Sequence, residues 1–95
     1  MTKIKTVPFD IQDYLDSPEA RATYLNAALE DGDVDHLLVA LGDVAKATGM
    51  SDIATAIGMS RTTLYQALSG ERDPRISTVV AVLAQLGLKI EVKAA

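Results

Sequence analysis

MSDIATAIGMSRTTLYQALSG, residues 50–70, decides the fold. Count Met50 as the first residue of a twenty-residue unit. Ile53 and Ala54 then stand at positions four and five, and Ile57, Gly58 and Met59 at eight to ten. Leu64 falls at fifteen and Ala67 at eighteen. Each type has a physical reason. A small side chain at Ala54 lets a second helix cross over it. Gly58 accepts positive φ at a turn too tight for a Cβ. Ile53, Ile57, Met59 and Leu64 pin two helices at a steep angle, and Ser60 caps the second. The pattern predicts a helix–turn–helix whose second helix can enter a major groove about 12 Å wide.

The outward face of that second helix is Ser60, Arg61, Thr62, Tyr65, Gln66 and Ser69, with Thr63 at the edge. Arg bonds guanine bidentately, Gln bonds adenine in the same way, and Thr or Tyr meets phosphate or a thymine methyl. Ser60, Arg61, Thr62, Thr63, Tyr65 and Gln66 are therefore the expected base-reading residues. Lys46, Ser51, Ser69, Arg72 and Arg75 flank them as expected phosphate contacts, and Ser51 also presents free helix N–H groups. The competing reading is a helix pair that only packs or only binds protein. It must explain a face without acids in a chain with thirteen Asp and Glu.

The flanks read as further helices. Towards the N-terminus, Asp10 is a good N-cap with Asp13 at N3. Phe9 and Tyr14 are spaced for a hydrophobic staple over a short helix. SPEARATYLNAALEDG (17–32) follows, with Ser17 as cap, Pro18 at N1, Glu19 in the first turn and Gly32 as stop. In DGDVDHLLVALGDVAKATG (31–49), Asp33 or Asp35 caps a helix that turns Leu37, Leu38, Leu41, Val44 and Ala45 inward. Gly42 costs about 1 kcal/mol there relative to Ala, which close helix packing would offset. Gly49 ends that helix, Ser51 and Ser60 are expected caps, and Pro74 opens a last helix that stops at Gly87. LKIEVK (88–93) then changes period. Leu88, Ile90 and Val92 alternate with Lys89, Glu91 and Lys93, which predicts a half-buried strand. Its partner is either residues 2–7, TKIKTV, or the same strand of a second copy about a two-fold axis.

Composition bounds the function. Ninety-five residues make one compact unit with a single small core. Only 4% are aromatic, so aliphatic residues must fill it. No run approaches the ~20 apolar residues that span a bilayer. No basic segment precedes an apolar one, so no secretory signal is expected, and a cytoplasmic, nucleoid-associated protein is. With no cysteine and one histidine, neither a zinc site nor a Cys/His nucleophile can be assembled. DGDVD (31–35) begins like a calcium loop, but His36 stands at position six and Gly42 at position twelve, where Gly and Glu belong. No glycine-rich phosphate loop is present. No enzyme, metal or cofactor is expected.

Net charge is −4 and unevenly spread. Residues 1–45 hold three Lys/Arg and nine Asp/Glu, a net of −6, while residues 46–95 hold six and four, a net of +2. The chain is accordingly divided into residues 1–35, an arm with acidic helices, and residues 36–95, the helix–turn–helix with its C-terminal strand. Chance solvation explains such a split, and so do two partners of opposite sign.

The stretches FDIQDYLDSPEARATYLNAALEDGD (9–33) and LLVALGDVAKATGMSDIATAIGMSRTTLYQALSGERDPRISTVVAVLAQLGLKIEV (37–92) resemble the HigA-like addiction-module antitoxins. These carry a lambda-repressor-like helix–turn–helix. The resemblance covers about nine-tenths of the chain, and LYQALSG followed by DPRISTV and LAQLGL is its most telling part. Asp73 departs from the Asn that many relatives place before the proline, but both residues cap. The resemblance implies an all-α fold, a RelE/ParE-like partner toxin, neutralisation by direct binding and repression of the shared operon by a homodimer on palindromic operator DNA. Toxins of that class tend to be basic. The acidic residues 10–35 suit such a surface, with Phe9, Asp10, Asp13 and Tyr14 as the expected contacts and residues 2–7 as a strand added to a toxin sheet. The other functions in view are a Cro-like regulator without a toxin and a protein-only adaptor.

Overall fold

Residues 15–70 and 73–95 are described by a computed structural model, which places five helices among them. The expectations for residues 2–7, Phe9, Asp10, Asp13, Tyr14 and Arg72 fall outside this range. Helix α1 is Pro18–Leu29, with Ser17 Oγ accepting from the Ala20 N–H at 3.1 Å. Helix α2 is Val34–Thr48, and Asp33 rather than Asp35 caps it, accepting from the Asp35 N–H at 2.9 Å. Helices α3, Met50–Ala56, and α4, Arg61–Ala67, follow, and α5 is Ile76–Gln85.

Two expected starts move. Gly49 both ends α2 and holds the N-cap position of α3, so Ser51 lies inside the first turn and is not the cap. The chain restarts one residue after it stops, which leaves no room for a serine cap and lets Met50 bury at 5% exposure. Pro74 precedes α5 without opening it. Arg75, in extended backbone, takes the N-cap position and Ile76 starts the helix.

The core is aliphatic. Leu41 and Val44 of α2, Leu64 of α4, Val82 of α5 and Leu86 have no exposed surface. Leu15 and Leu25 join the same cluster, so one core runs across the division drawn at residue 35. Helix α1 packs on α2, and α3 touches α2, α4 and α5. Arg21 ties the first described residue to the C-terminal end of α5. Its Nε donates to the Leu15 carbonyl at 2.9 Å and its Nη1 to the Leu86 carbonyl at 3.1 Å.

The described residues contain no strand, and the expectation for Leu88, Ile90 and Val92 is corrected for the single chain. A strand exists through its ladder, and no described segment exchanges ladder hydrogen bonds with residues 88–93. Leu88 packs against the core, while Ile90 and Val92 stand 49% and 92% exposed.

Candidate nucleic-acid interface

The turn between α3 and α4 sets the site. Gly58 has φ of 77°, which a glycine adopts without cost. Its N–H bonds the Thr55 carbonyl at 3.2 Å, and the Met59 N–H bonds the Ala54 carbonyl at 2.9 Å. These are the two bonds of a Schellman stop, which satisfies the last carbonyls of α3 and ends the helix. Ser60 then caps α4. Beneath, Ala54 at 1% exposure and Leu64 at none account for the inward side, with Ile57 and Met59 packed against the core.

Ser60, Arg61, Thr62, Thr63, Tyr65 and Gln66 all lie exposed on α4 and its cap. The structure separates them by what they already hold. Ser60 Oγ accepts from the Thr63 N–H at 3.0 Å and donates to Thr63 Oγ1 at 2.8 Å, so its proton serves the helix start. Ser69 Oγ donates to the Gln66 carbonyl at 2.8 Å. Among the described residues, the side chains of Arg61, Thr62 and Gln66 make no hydrogen bond or ion pair. Their donors and acceptors face outward, with no partner among the described residues.

Lys46 reaches this face from α2. Its Nζ stands 5.0 Å from the centre of the Tyr65 ring, within cation–π range. Sequence reasoning placed both residues here but missed their contact, for which a separation of nineteen positions leaves no local signal. Tyr65, Lys46, Ser69 and Leu68 line a shallow cleft with Val39, Gly42 and Asp43. Asp43 is the cleft's one carboxylate, and it accepts from the Tyr24 hydroxyl at 3.2 Å. Burial first, and then the charge of Asp43 and this hydrogen bond, raise the Tyr24 pKa, so Tyr24 stays a donor. The cleft's acid is thus held from behind by α1. Ser51 is exposed in the first turn of α3, and Arg75 is exposed at the start of α5.

The acidic turn before α2 is built for capping. Asp31 accepts from the Asp33 N–H at 3.0 Å, and His36 Nδ1 pairs with Asp31 Oδ2 at 2.6 Å. That pairing was also missed, although the DGD run upstream of a histidine was its signal.

A helical fold among the described residues, with an acid-free, polar outward face on α4, is the class these features define. Residues 5–94 match the family of probable addiction module antidote proteins, and the chain belongs to that family. A protein of Haemophilus influenzae, described only as uncharacterized, is 42% identical over 85 residues, covering 90% of this chain and 88% of its own. No solved structure gives a significant match. No described helix is long and apolar enough to cross a membrane.

Proposed function

We propose that the protein is the antitoxin of a type II toxin–antitoxin module that also represses its own operon. The antidote family supports the first half. The second half rests on α4, where Arg61, Thr62 and Gln66 present unengaged polar groups on a face without acids. In this reading α3 and α4 are a lambda-repressor-like helix–turn–helix, and α4 enters the major groove of a palindromic operator. Arg61 and Gln66 read bases, with Thr62, Thr63 and Tyr65 beside them. Ser60 mainly holds the helix start. Lys46, Ser51, Ser69 and Arg75 contact phosphate, as does Arg72. Two copies place two α4 helices on half-sites about 34 Å apart, or a multiple. The toxin is basic and RelE/ParE-like, and residues 1–35 meet it. This places the protein in the cytoplasm, on the nucleoid.

Gel shifts on the protein's own promoter test the DNA half. Arg61→Ala or Gln66→Ala should cost about 1–3 kcal/mol and relax specificity at one base pair. Unchanged shifts from both variants would mean that α4 is not the reading helix. Co-expression with the neighbouring gene tests the toxin half. Copurification and restored growth are expected, and a neighbour that neither binds nor harms growth would leave a regulator without a toxin.

A further inference from the structure

Residues 88–93 run past an apolar groove of about 700 Å³ between α1 and α5. Its walls include Leu25, Leu29, Val79 and Leu83, with Ile76 at 70% and Ile90 at 49% exposure. We propose that residues 88–93 pair antiparallel with the same residues of a second copy, with Ile90 on the two-fold axis. This deepens the dimer invoked for the operator, yet it can fail while that reading stands, because a dimer can form through another face.

Charge selects the register. With Ile90 on the axis, Lys89 of each copy faces Glu91 of the other, and Leu88 faces Val92. Lys93 faces Gly87, so no like charges meet. Directly opposed residues share a face. One face therefore gathers six aliphatic side chains and the other gathers the alternating charges. Moving Glu91 onto the axis sets Glu91 against Glu91 and Lys89 against Lys93 twice. Moving Lys89 there sets lysine against lysine. An axis between residues sets apolar against charged throughout. The single chain shows this sorting in part. Leu88 already lies on the core, and Glu91 and Lys93 pair at 3.6 Å on an exposed side, 64% and 81% accessible. In the single chain Leu88 and Ile90 line the groove beside Lys89, Glu91 and Lys93, and Val92 stands outside it. In the ribbon the apolar face would cover the groove and the charged side chains would turn away from it.

The intrachain alternative is poorer in charge. With Lys3 and Lys5 both inside a ladder against residues 89–93, one meets Glu91 and the other meets a lysine. Self-pairing makes two Lys–Glu pairs and no such repulsion.

The chain has no cysteine, so single-cysteine variants of the full protein read the register directly. Under mild oxidation, Ile90→Cys should give a disulfide-linked dimer fastest on a non-reducing gel. Lys89→Cys and Glu91→Cys should lag alone and cross-link when mixed. Sedimentation should show Glu91→Lys weakening the dimer roughly tenfold, with Lys89→Glu added in the same chain restoring it. Fastest cross-linking of Glu91→Cys would overturn the register. Absence of cross-linking from every variant, or a dimer indifferent to Glu91→Lys, would overturn the pairing. An operator shift that survives either result would leave the DNA reading untouched.

Discussion

Gly58 and Gly87 do the same work in unequal surroundings. Each takes positive φ, 77° and 81°, and each closes a helix with the same two backbone bonds. A Cβ at Gly58 meets nothing within 4 Å, so the turn is not too tight for a side chain, as the sequence suggested it would be, and Gly58→Ala bears only the left-handed backbone cost of about 1–2 kcal/mol. A Cβ at Gly87 stands 3.0 Å from Pro18 Cγ as well. Gly87→Ala should therefore lose more stability in urea unfolding, and equal losses would show that Pro18 moves aside freely. His36 supplies a second test at this scale. Its hydrogen bond to Asp31, and then the charges of Asp31 and Asp33, raise its pKa above the ordinary 6.5. The Asp33 N–H first, and then His36, lower the pKa of Asp31. Charged His36 thus favours the folded state below its unfolded pKa, and that contribution fades as pH rises through the raised folded value. The contribution of Asp31 is present above the ordinary carboxylate range and is lost as pH falls through its lowered value. An NMR titration should find the His36 midpoint above 6.5, and Asp31→Asn should bring it down. An unmoved midpoint would show that the pair does not hold in solution.

At the scale of the element, what was legible in the sequence was local. Ser17, Asp33 and Ser60 cap helices a few residues away, and Gly58 stops one, so their signals sit inside the segments they control. The packed side of α4 was legible for the same reason. Ser51 misled because a capping residue type marks a start only when the chain has a turn to spend, and Gly49 left none. The Lys46–Tyr65 contact and the Arg21 bond to the Leu86 carbonyl join positions 19 and 65 residues apart, where no periodicity reaches. Gly42 sharpens the point. Packing close enough to require a glycine was expected there; α4 does approach, but a Cβ would lie 3.4 Å from the Leu68 carbonyl oxygen at its end. That distance is ordinary contact, so an alanine fits. Gly42→Ala should raise stability by up to about 1 kcal/mol through helix propensity. Gly42→Leu should lower it by pressing on the Leu68 backbone. Thermal unfolding of the two variants checks the sign, and a loss with alanine would mean that α2 and α4 sit closer than this.

At the scale of the whole molecule, net charge bears on how the two proposed partners meet. The half that carries α4 has a net of only +2, and the protein as a whole has −4. Binding to DNA draws on phosphates neutralised by Lys and Arg, each contributing about one unit to the salt slope. A single subunit would therefore bind the proposed operator weakly, and its acidic half would add repulsion at long range. Arg75→Ala should weaken all DNA sequences alike and reduce that slope by about one, whereas Arg61→Ala should alter which sequence is preferred. A basic toxin seated on residues 1–35 would cancel the repulsive charge and add contacts of its own. The operator affinity of the antitoxin should then rise when toxin is titrated in, at least at ratios that keep two antitoxin copies in each complex. Gel shifts across a range of ratios measure this directly, and the gain should shrink with added salt as charge is screened. Steady weakening at every ratio would mean that the toxin occupies or distorts the α4 face, and that the acidic half serves solubility alone.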